Sequence, residues 1–470
     1  MNMTNHNSKE AAIFTAAVEA YRRMSGLRSN RERMKNYAYG RQWNDRVVDP
    51  ITGESMTEGD MARQATGRDP LTNNLIRQMV KTIIGRFRYM RAKEPIADRN
   101  MTHLYSFNSL DEIDSRTMEE FLMSGCIIQR VAAERRRDGS LNHYVDNVSP
   151  ADFFINTIND PRGWDTELIG MLHDLSLPDV ESRFGNNDPK KIAIIRHAFS
   201  ADSGDSRFFR SPTGRCRVIE VWTLESSRTA RILDPESMDY REITVTPASA
   251  EKLRNDEQKR CEAGLSPLRV NYSRVNRWHG RFFAPDGTMI SHVVSQLSSG
   301  EHPFVVKFYP LIDGEVHSFV EDIVDQQRQI NRLLVVSDNI LSTAAKGVLM
   351  YPTRAKPDFI SWHDIARRWA VCGSLIPYEP VAGGDMPKQI TSSGLDAGVT
   401  TLLDTQMKLI RDISGVGSVI SGGNSVSGTG ADSLAAQVDN ATIALNDLFA
   451  TFADFIARRD KKASDLPGVF

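Results

Sequence analysis

Apolar residues first recur at helical spacing between Ala11 and Trp43. Ile13, Ala17, Ala20, Tyr21 and Met24 line one face there, and Arg22, Arg23, Arg31, Arg33 and Lys35 the other. One or two helices are expected, after a loose polar start over Met1–Glu10. Residues 45–70 are rich in turn formers, with Asp49-Pro50 and Gly59-Asp60, and read as a loop. Leu71, Leu75, Met79, Val80 and Ile83 then predict a helix from Pro70 to Gly85, and a further helix is expected from Ser109 to Ile127. Cys126–Glu134 and Asn142–Asn156 read as strands, the alternation showing over Tyr144–Val148.

The pattern changes over 216–311. Short alternating runs (Arg217–Glu225, Tyr240–Val245, Arg277–Phe283, Met289–Val294 and Pro303–Phe308) are separated by turns such as Ala284-Pro285-Asp286-Gly287. A charged helical piece, Ala248–Ala263, interrupts them. The stretch reads as a small β-rich region inserted between helices. Behind it comes the strongest helix. Ser318 with Glu321 forms a capping-box pattern, and Val316, Val320, Ile323, Gln327, Ile330, Leu334 and Leu341 make one stripe. It is expected to reach Ala344 or Ala345, a length of roughly 40 Å.

Residues 346–392 return to loop and short strand, with the break Gly383-Gly384-Asp385. Leu395, Val399, Leu402, Leu409 and Ile413 predict a helix over 395–414, followed by a Gly/Ser linker, Gly415–Gly430. A last helix is expected from Ala431 to Lys462, with Leu434, Val438, Ala441, Leu445, Leu448, Phe452 and Phe455 at heptad spacing. Such a stripe serves either a helix seated on its own domain or one packed against copies of itself.

Composition adds mainly exclusions. Of 470 residues 40% are hydrophobic and 25% charged, enough apolar side chains for two or more cores. Lys and Arg number 58 against 60 Asp and Glu, a net charge of −2. A tight binder of duplex phosphates carries a basic surplus, so this surface fits nucleic acid passing by without sticking. Six basic residues and no acid lie between Arg77 and Lys93, a run that suits DNA or acidic neighbours but also an ordinary solvated helix face. The four cysteines, Cys126, Cys216, Cys261 and Cys372, are too far apart for a paired-cysteine metal motif and read as reduced thiols. Neither a signal peptide nor a membrane span is expected from the start or from any apolar run, which leaves a soluble chain made in a cytoplasm.

No catalytic constellation is visible. The glycine-rich stretch 415–430 lacks the lysine of a phosphate-binding loop and the spacing of a dinucleotide fingerprint. The ten histidines include no zinc-binding helix pair, and His173-Asp174 and His363-Asp364 are adjacent residues whose side chains diverge. No Gly-x-Ser-x-Gly elbow occurs. No cofactor, metal or catalytic residue is therefore expected. One alternative stays open: a metal-dependent nucleic-acid-processing enzyme, for which Asp322, Asp325 and Asp364 are the only carboxylate hints.

Several stretches, in order, resemble the portal (head-to-tail connector) proteins of tailed bacteriophages, of the type found in short-tailed enteric phages. They are Tyr39-Gly40-Arg41-Gln42-Trp43 with Pro70-Leu71-Thr72-Asn73-Asn74 and Ile83-Ile84-Gly85, then Val148–Asn156, then Val218–Leu224. The strongest is Phe319–Asn331, which is similar to the family's D-x-Q-R-x-x-N helix; members usually carry Pro where Gln326 stands. Ser425-Val426-Ser427-Gly428 is similar to the entry to the upper helices. The likeness runs over about 37–455.

The resemblance implies an α+β subunit with wing, helical stem, inserted β-rich clip and short helical crown. The wing would take 1–175 and, with the tunnel loop, 346–430; the stem 176–215 and 312–345; the clip 216–311; and the crown 431–470. Because the chain stops at Phe470, no long C-terminal barrel is expected. The resemblance further implies a homo-dodecamer at one capsid vertex of the virion, assembled in the host bacterial cytoplasm. The ring would be the channel for genome packaging and ejection. Its partners would be the terminase packaging motor, tail adaptor and head-completion proteins, the major capsid protein and double-stranded DNA held without sequence preference, with no membrane. Another virion neck or connector ring is the nearest alternative. Channel-facing candidates on the stem are Glu321, Asp322, Asp325, Arg328 and Arg332, which with Asp338 balance to the acidic side. Lys346, Arg354 and Lys356, on the segment where portals carry a tunnel loop, are the candidates for DNA contact.

Overall fold

The computed structural model describes residues 3–50, 52–93, 99–135, 141–200, 204–235, 237–346, 348–371, 374–380, 384, 386–390, 397–416 and 443–466. For residues 3–8, 65, 99, 100, 342–346, 348, 370, 397 and 444 the description is of the backbone alone. The described residues form two compact units, Met1–Arg31 with Phe87–Ser318 and Asn446–Phe470, and Glu32–Arg86 with Phe319–Leu445.

The first unit is built on a mixed set of helices and antiparallel strands. Helix α1 (Met3–Arg23) opens it, so helix begins where a loose start was expected. Helix α2 (Ser25–Ala38) follows; the first unit takes only its beginning. Strands β3 (Cys126–Arg135), β4 (Leu141–Asn147) and β11 (Phe304–Phe308) form a three-stranded sheet in the order β11-β3-β4, and β12 (Leu311–Ile312) pairs with β13 (Glu315–Val316) after it. Strands β5 (Phe153–Ile155), β6 (Leu168–Leu175), β7 (Cys216–Leu233), β9 (Arg269–Phe283) and β10 (Met289–Val294) run β10-β9-β7-β6-β5 in a second sheet, with β8 (Tyr240–Thr244) on the far half of β7. The β-rich stretch 216–311 thus shares its sheets with strands that precede it: β6 pairs with β7 from Leu168↔Thr223 to Leu175↔Cys216.

One face of α1 (Ala17, Ala20 and Tyr21), with Met24 just beyond its end, is buried with Phe153, Phe154, Ile169, Ile219, Val221 and Phe283 of this sheet, as the helical spacing predicted. Beyond it the β7–β9 hairpin continues, from Glu225↔Arg277 to Leu233↔Arg269. Helix α9 (Pro247–Glu262) closes over the hairpin. Ala230, Ile232, Leu253 and Leu268 form a small separate core there, latched by Arg260 on Asp234 at 2.6 and 2.8 Å. Between β6 and β7 lie two short helices, α7 (Leu177–Phe184) and α8 (Pro189–Ser200).

Helix α5 (Arg99–Asn108) was not expected, and α6 (Leu110–Ser124) stops short of Ile127. The reason is Gly125, at φ 67°, which caps α6 in the left-handed region and lets β3 start at Cys126. The expected strand 142–156 is likewise two, β4 and β5, separated by a turn around Ser149-Pro150. Burial raises the pKa of the Cys126 thiol, so this cysteine is inert packing.

The last helix, α13 (Asn446–Ser464), is seated on its own unit, the first of the two readings of its apolar stripe. Phe452 and Phe455 are fully buried, and Phe452 meets Phe87 and Phe121. Arg459 is also fully buried: it donates to Asp114 at 2.5 Å and to the Tyr105 hydroxyl at 2.7 Å. The segment 431–442 of the expected helix, with Leu434, Val438 and Ala441, lies outside the described residues, as does Ser425–Gly428.

A second buried ion cluster crosses the two sheets. Glu220 on β7 has no exposure; it meets Arg130 of β3 at 3.1 Å, His173 of β6 at 2.6 Å and the Trp222 indole N–H at 2.7 Å. Burial alone would raise its pKa, but Arg130, His173 and Trp222 outweigh burial and hold it at about 2. A carboxylate whose folded pKa lies below its unfolded one stabilises the fold above the unfolded pKa, near 4.5, and that contribution is lost as pH falls toward 2. The loss amounts to about 3 kcal/mol, and Glu220→Gln is expected to flatten the pH dependence of urea midpoints across this window.

In the second unit the stretch 45–70 is structured rather than loop. A hairpin, β1 (Arg46–Val48) with β2 (Ser55–Thr57), leads into α3 (Glu58–Thr66). The Thr57 side chain accepts the Asp60 N–H and Gly67 closes the helix at φ 70°, so Gly59-Asp60 lies inside a capped first turn. Helix α4 (Leu75–Arg91) starts later than Pro70 and runs through Gly85, where a side chain would meet nothing within 4 Å. Helix α10 (Phe319–Lys346) has 28 residues, close to its expected span. Strand β14 (Val348–Met350) pairs with β15 (Lys388–Ile390), and α12 (Ala397–Ser414) lies along α10. Between β14 and β15 lies the unexpected α11 (Trp362–Ala370), begun by the Ser361 hydroxyl accepting the Asp364 N–H.

Candidate channel helix and tunnel segment

Helix α10 buries one face through Val320, Ile323, Val324, Ile330 and Leu333. Among these apolar residues it also buries two amides: Gln327 has no exposure and Asn331 only 2%. Buried amides have to be paired, and these are. Gln327 Nε2 donates to the Asn73 carbonyl at 2.7 Å and to Asn331 Oδ1 at 3.0 Å, while its Oε1 accepts the Leu75 N–H at 3.0 Å. Asn331 Nδ2 donates to Gln42 Oε1 at 2.6 Å. Gln42 Nε2 donates onward to Asn74 Oδ1 and to the Tyr37 carbonyl, both at 3.0 Å. Asn74 in turn donates to the Ala38 carbonyl and accepts the Arg77 N–H at 2.9 Å, which caps α4. Trp43 Nε1 donates to the Thr72 hydroxyl at 2.9 Å beside them.

One network therefore joins the end of α2, the start of α4 and the middle of α10. Its members are the residues that carried the family resemblance: Gln42 and Trp43, Thr72 to Asn74, and Gln327 with Asn331. Spacing alone put Gln327 on the buried stripe, but the partners of these amides were not readable from periodicity, because the bonds to α10 come from residues more than 250 positions earlier.

The arginines of α10 turn toward the same unit. Arg328 Nη2 donates to Glu58 Oε1 at 2.8 Å, and the Arg332 guanidinium reaches the same oxygen. Glu58, on α3, is 7% exposed. Asp45 accepts from Arg33 at 2.9 and 3.0 Å and from the Tyr37 hydroxyl at 2.8 Å, and lies 3.8 Å from Arg328. Burial works against the Arg328 charge, but the bond to Glu58 and the charges of Glu58, Tyr37 and Asp45 leave its pKa raised. Burial, with the bond to Asp45, also raises the Tyr37 pKa.

The stem candidates separate accordingly. Arg328 and Arg332 come together on Glu58, Glu321 is half-buried, and Asp322 and Asp325 stand on the exposed face. Asp325, whose side chain is 81% exposed, lies 3.9 Å from Arg328. Acids in the first turn, Glu321 and Asp322, also complement the positive end of the helix.

The tunnel candidates differ from one another. Lys346 closes α10, and its side chain lies outside the described residues. Arg354 is exposed on a 3₁₀ turn, Thr353–Ala355. Lys356 donates to the carbonyls of Pro357 at 3.1 Å and Ile360 at 2.6 Å, so its ammonium is engaged by its own loop. Tyr351, whose hydroxyl donates to the Pro377 carbonyl at 2.6 Å, fixes the turn from the other side.

Asp364, one of three carboxylates weighed for a metal, lies in the first turn of α11, where its carboxylate accepts from the Ser361 hydroxyl that caps the helix. Among the described residues no group of three or more His, Cys, Asp or Glu side chains comes together as a metal site requires. Among them, too, no helix is long and apolar enough to cross a membrane. The basic run of α4 is partly paired: Arg77 lies over Tyr39, Arg88 bonds Glu112 at 2.8 Å, and Arg91 donates to the Tyr105 hydroxyl at 3.1 Å.

No curated protein sequence matches the chain. The family model described as phage P22-like portal protein does match, over residues 96–459, from α5 through β3 to β15 and α10 into α13. With more than three-quarters of its length matched, the chain belongs to the phage P22-like portal proteins, structural proteins of the bacteriophage capsid that connect head to tail and serve DNA packaging.

Proposed function

We propose that twelve copies of this chain form a ring at one capsid vertex of the virion, assembled in the host bacterial cytoplasm. The ring's channel carries the genome in during packaging and out during ejection. The terminase motor and later the tail adaptor and head-completion proteins dock on it, and the major capsid protein surrounds it. Double-stranded DNA passes without sequence recognition. The family match over 96–459 carries this reading; the family is structural and not known as an enzyme.

Three features support parts of this reading, although the strands of 216–311 share sheets with β3 and with β5 and β6. Residues 216–311 are the proposed clip, and the hairpin end with its own small core gives a compact body for docking. The wing is assigned to 1–175 and 346–430, the stem to 176–215 and 312–345, and the crown to 431–470. Seating α13 on α6 and β3 ties crown to wing. On α10 the arginines are held by Glu58 while Asp322 and Asp325 stay outward, which suits a wall that repels phosphate. Of the three residues proposed to touch DNA, Lys346, Arg354 and Lys356, Arg354 is exposed, while the Lys356 ammonium is engaged by its own loop. The test is particle mass: twelve copies of 52.7 kDa each make a ring of about 630 kDa.

A further inference from the structure

The β5–β6 connection, residues 156–167, is rigidly built but leaves its largest side chain in solvent. Asp165 accepts the N–H groups of Asn159 and Asp160 at 3.1 and 3.2 Å. The Asp160 carboxylate holds Arg162 through two hydrogen bonds of 3.0 Å. Arg162 in turn stacks 3.9 Å from the centre of the Trp164 ring. The indole is therefore fixed, and it is 76% exposed. Tryptophan and arginine are both enriched among interface anchors, and a buried Trp removes about 150–250 Å² from water.

The same unit carries a recess of about 530 Å³ lined by the larger sheet and by β3 of the smaller one. Phe282, Val293 and Leu297 give it apolar walls; of the charged residues there Arg130 is held by Glu134 and Glu220, and Arg135 and Arg183 leave the balance on the basic side. The connection 156–167 has the opposite balance, Asp160, Asp165 and Glu167 against Arg162. It leaves the sheet at edge strand β5, whereas Val293 lies on β10, the other edge. Two different patches of opposite charge on one subunit make a head-to-tail contact, the kind that closes into rings.

Resting on the ring reading above, we propose that Trp164 of one copy seats in the Phe282–Val293–Leu297 recess of the next copy. Asp160 and Glu167 then face Arg135 and Arg183.

Trp164→Glu is expected to lower the ring fraction at least roughly ten-fold at concentrations where the native chain is fully assembled, with far-UV circular dichroism and melting unchanged. A Trp164→Cys/Ser291→Cys chain is expected to form disulfides between copies, identified by the mass of the linked peptide; this decides the matter should Trp164→Glu melt early. Rings from Trp164→Glu at native yield, or no 164–291 link within rings, overturn the contact and leave the ring standing. A native chain that makes no ring overturns both.

Discussion

Arg459→Met is expected to cost about 3–5 kcal/mol of stability, read as a fall in the urea midpoint at constant slope. The side chain is completely buried and holds Asp114 at 2.5 Å, Tyr105 at 2.7 Å and Asp460 at 2.9 Å. Removing it strands the Asp114 carboxylate, itself 2% exposed, with only Gln129 Nε2, at 3.1 Å, among its hydrogen bonds here. Leaving a buried charge uncompensated is what makes the cost large, more than the loss of the ion pair. Arg459→Met combined with Asp114→Leu is therefore expected to recover most of the stability. A double variant as unstable as the single one would show that lost packing, not the stranded charge, dominates.

Gln327→Leu is the second large effect, about 3 kcal/mol by the same measurement. Leucine keeps the volume but leaves the Leu75 N–H, the Asn73 carbonyl and Asn331 Oδ1 each without the partner seen here. Each buried group so orphaned costs about 1–3 kcal/mol. Gln327→Glu can still accept the Leu75 N–H but cannot donate, so it separates the two halves of the role. Changes at the exposed Asp325, two residues before Gln327 on the other side of the helix, are expected to fall within about 0.5 kcal/mol.

The contrast between these residues shows which parts of the fold periodicity reveals. The stripe on α1 and the long α10 were legible, because burial repeats with the period of the element; strands between 216 and 308 were placed too, but β7 and β9 run to 18 and 15 residues where short runs were expected. Helix α3 was hidden by Gly59-Asp60, a turn signal in isolation, although Thr57 and Asp60 are spaced as a cap. Helix α11 was hidden the same way by Pro352 and Pro357, with Ser361 and Asp364 as its unread cap. The sharing of one sheet by β6 and β7 was not legible, since strand pairing between distant segments leaves no local mark.

The functional surface was legible to a different degree. Asp325–Asn331 was recognisable as a family signature, yet the signature describes the inside of the subunit: Gln327 and Asn331 hold α10 to Gln42 and Asn74 by way of bonds that span up to 289 residues. Arg328 and Arg332, as charged residues on a long helix, read as surface; their shared partner Glu58 lies 270 residues earlier, on a helix hidden from the pattern. Trp164, by contrast, stood in plain view and carried no periodicity to single it out.

The central claim is the ring, and electron-microscopy class averages of the purified chain, with mass measured on the same sample, test it most directly. The account predicts annular particles with an open centre, twelve-fold averages and a mass near 630 kDa, twelve times 52.7 kDa. A monodisperse monomer or dimer across the concentration range would contradict it.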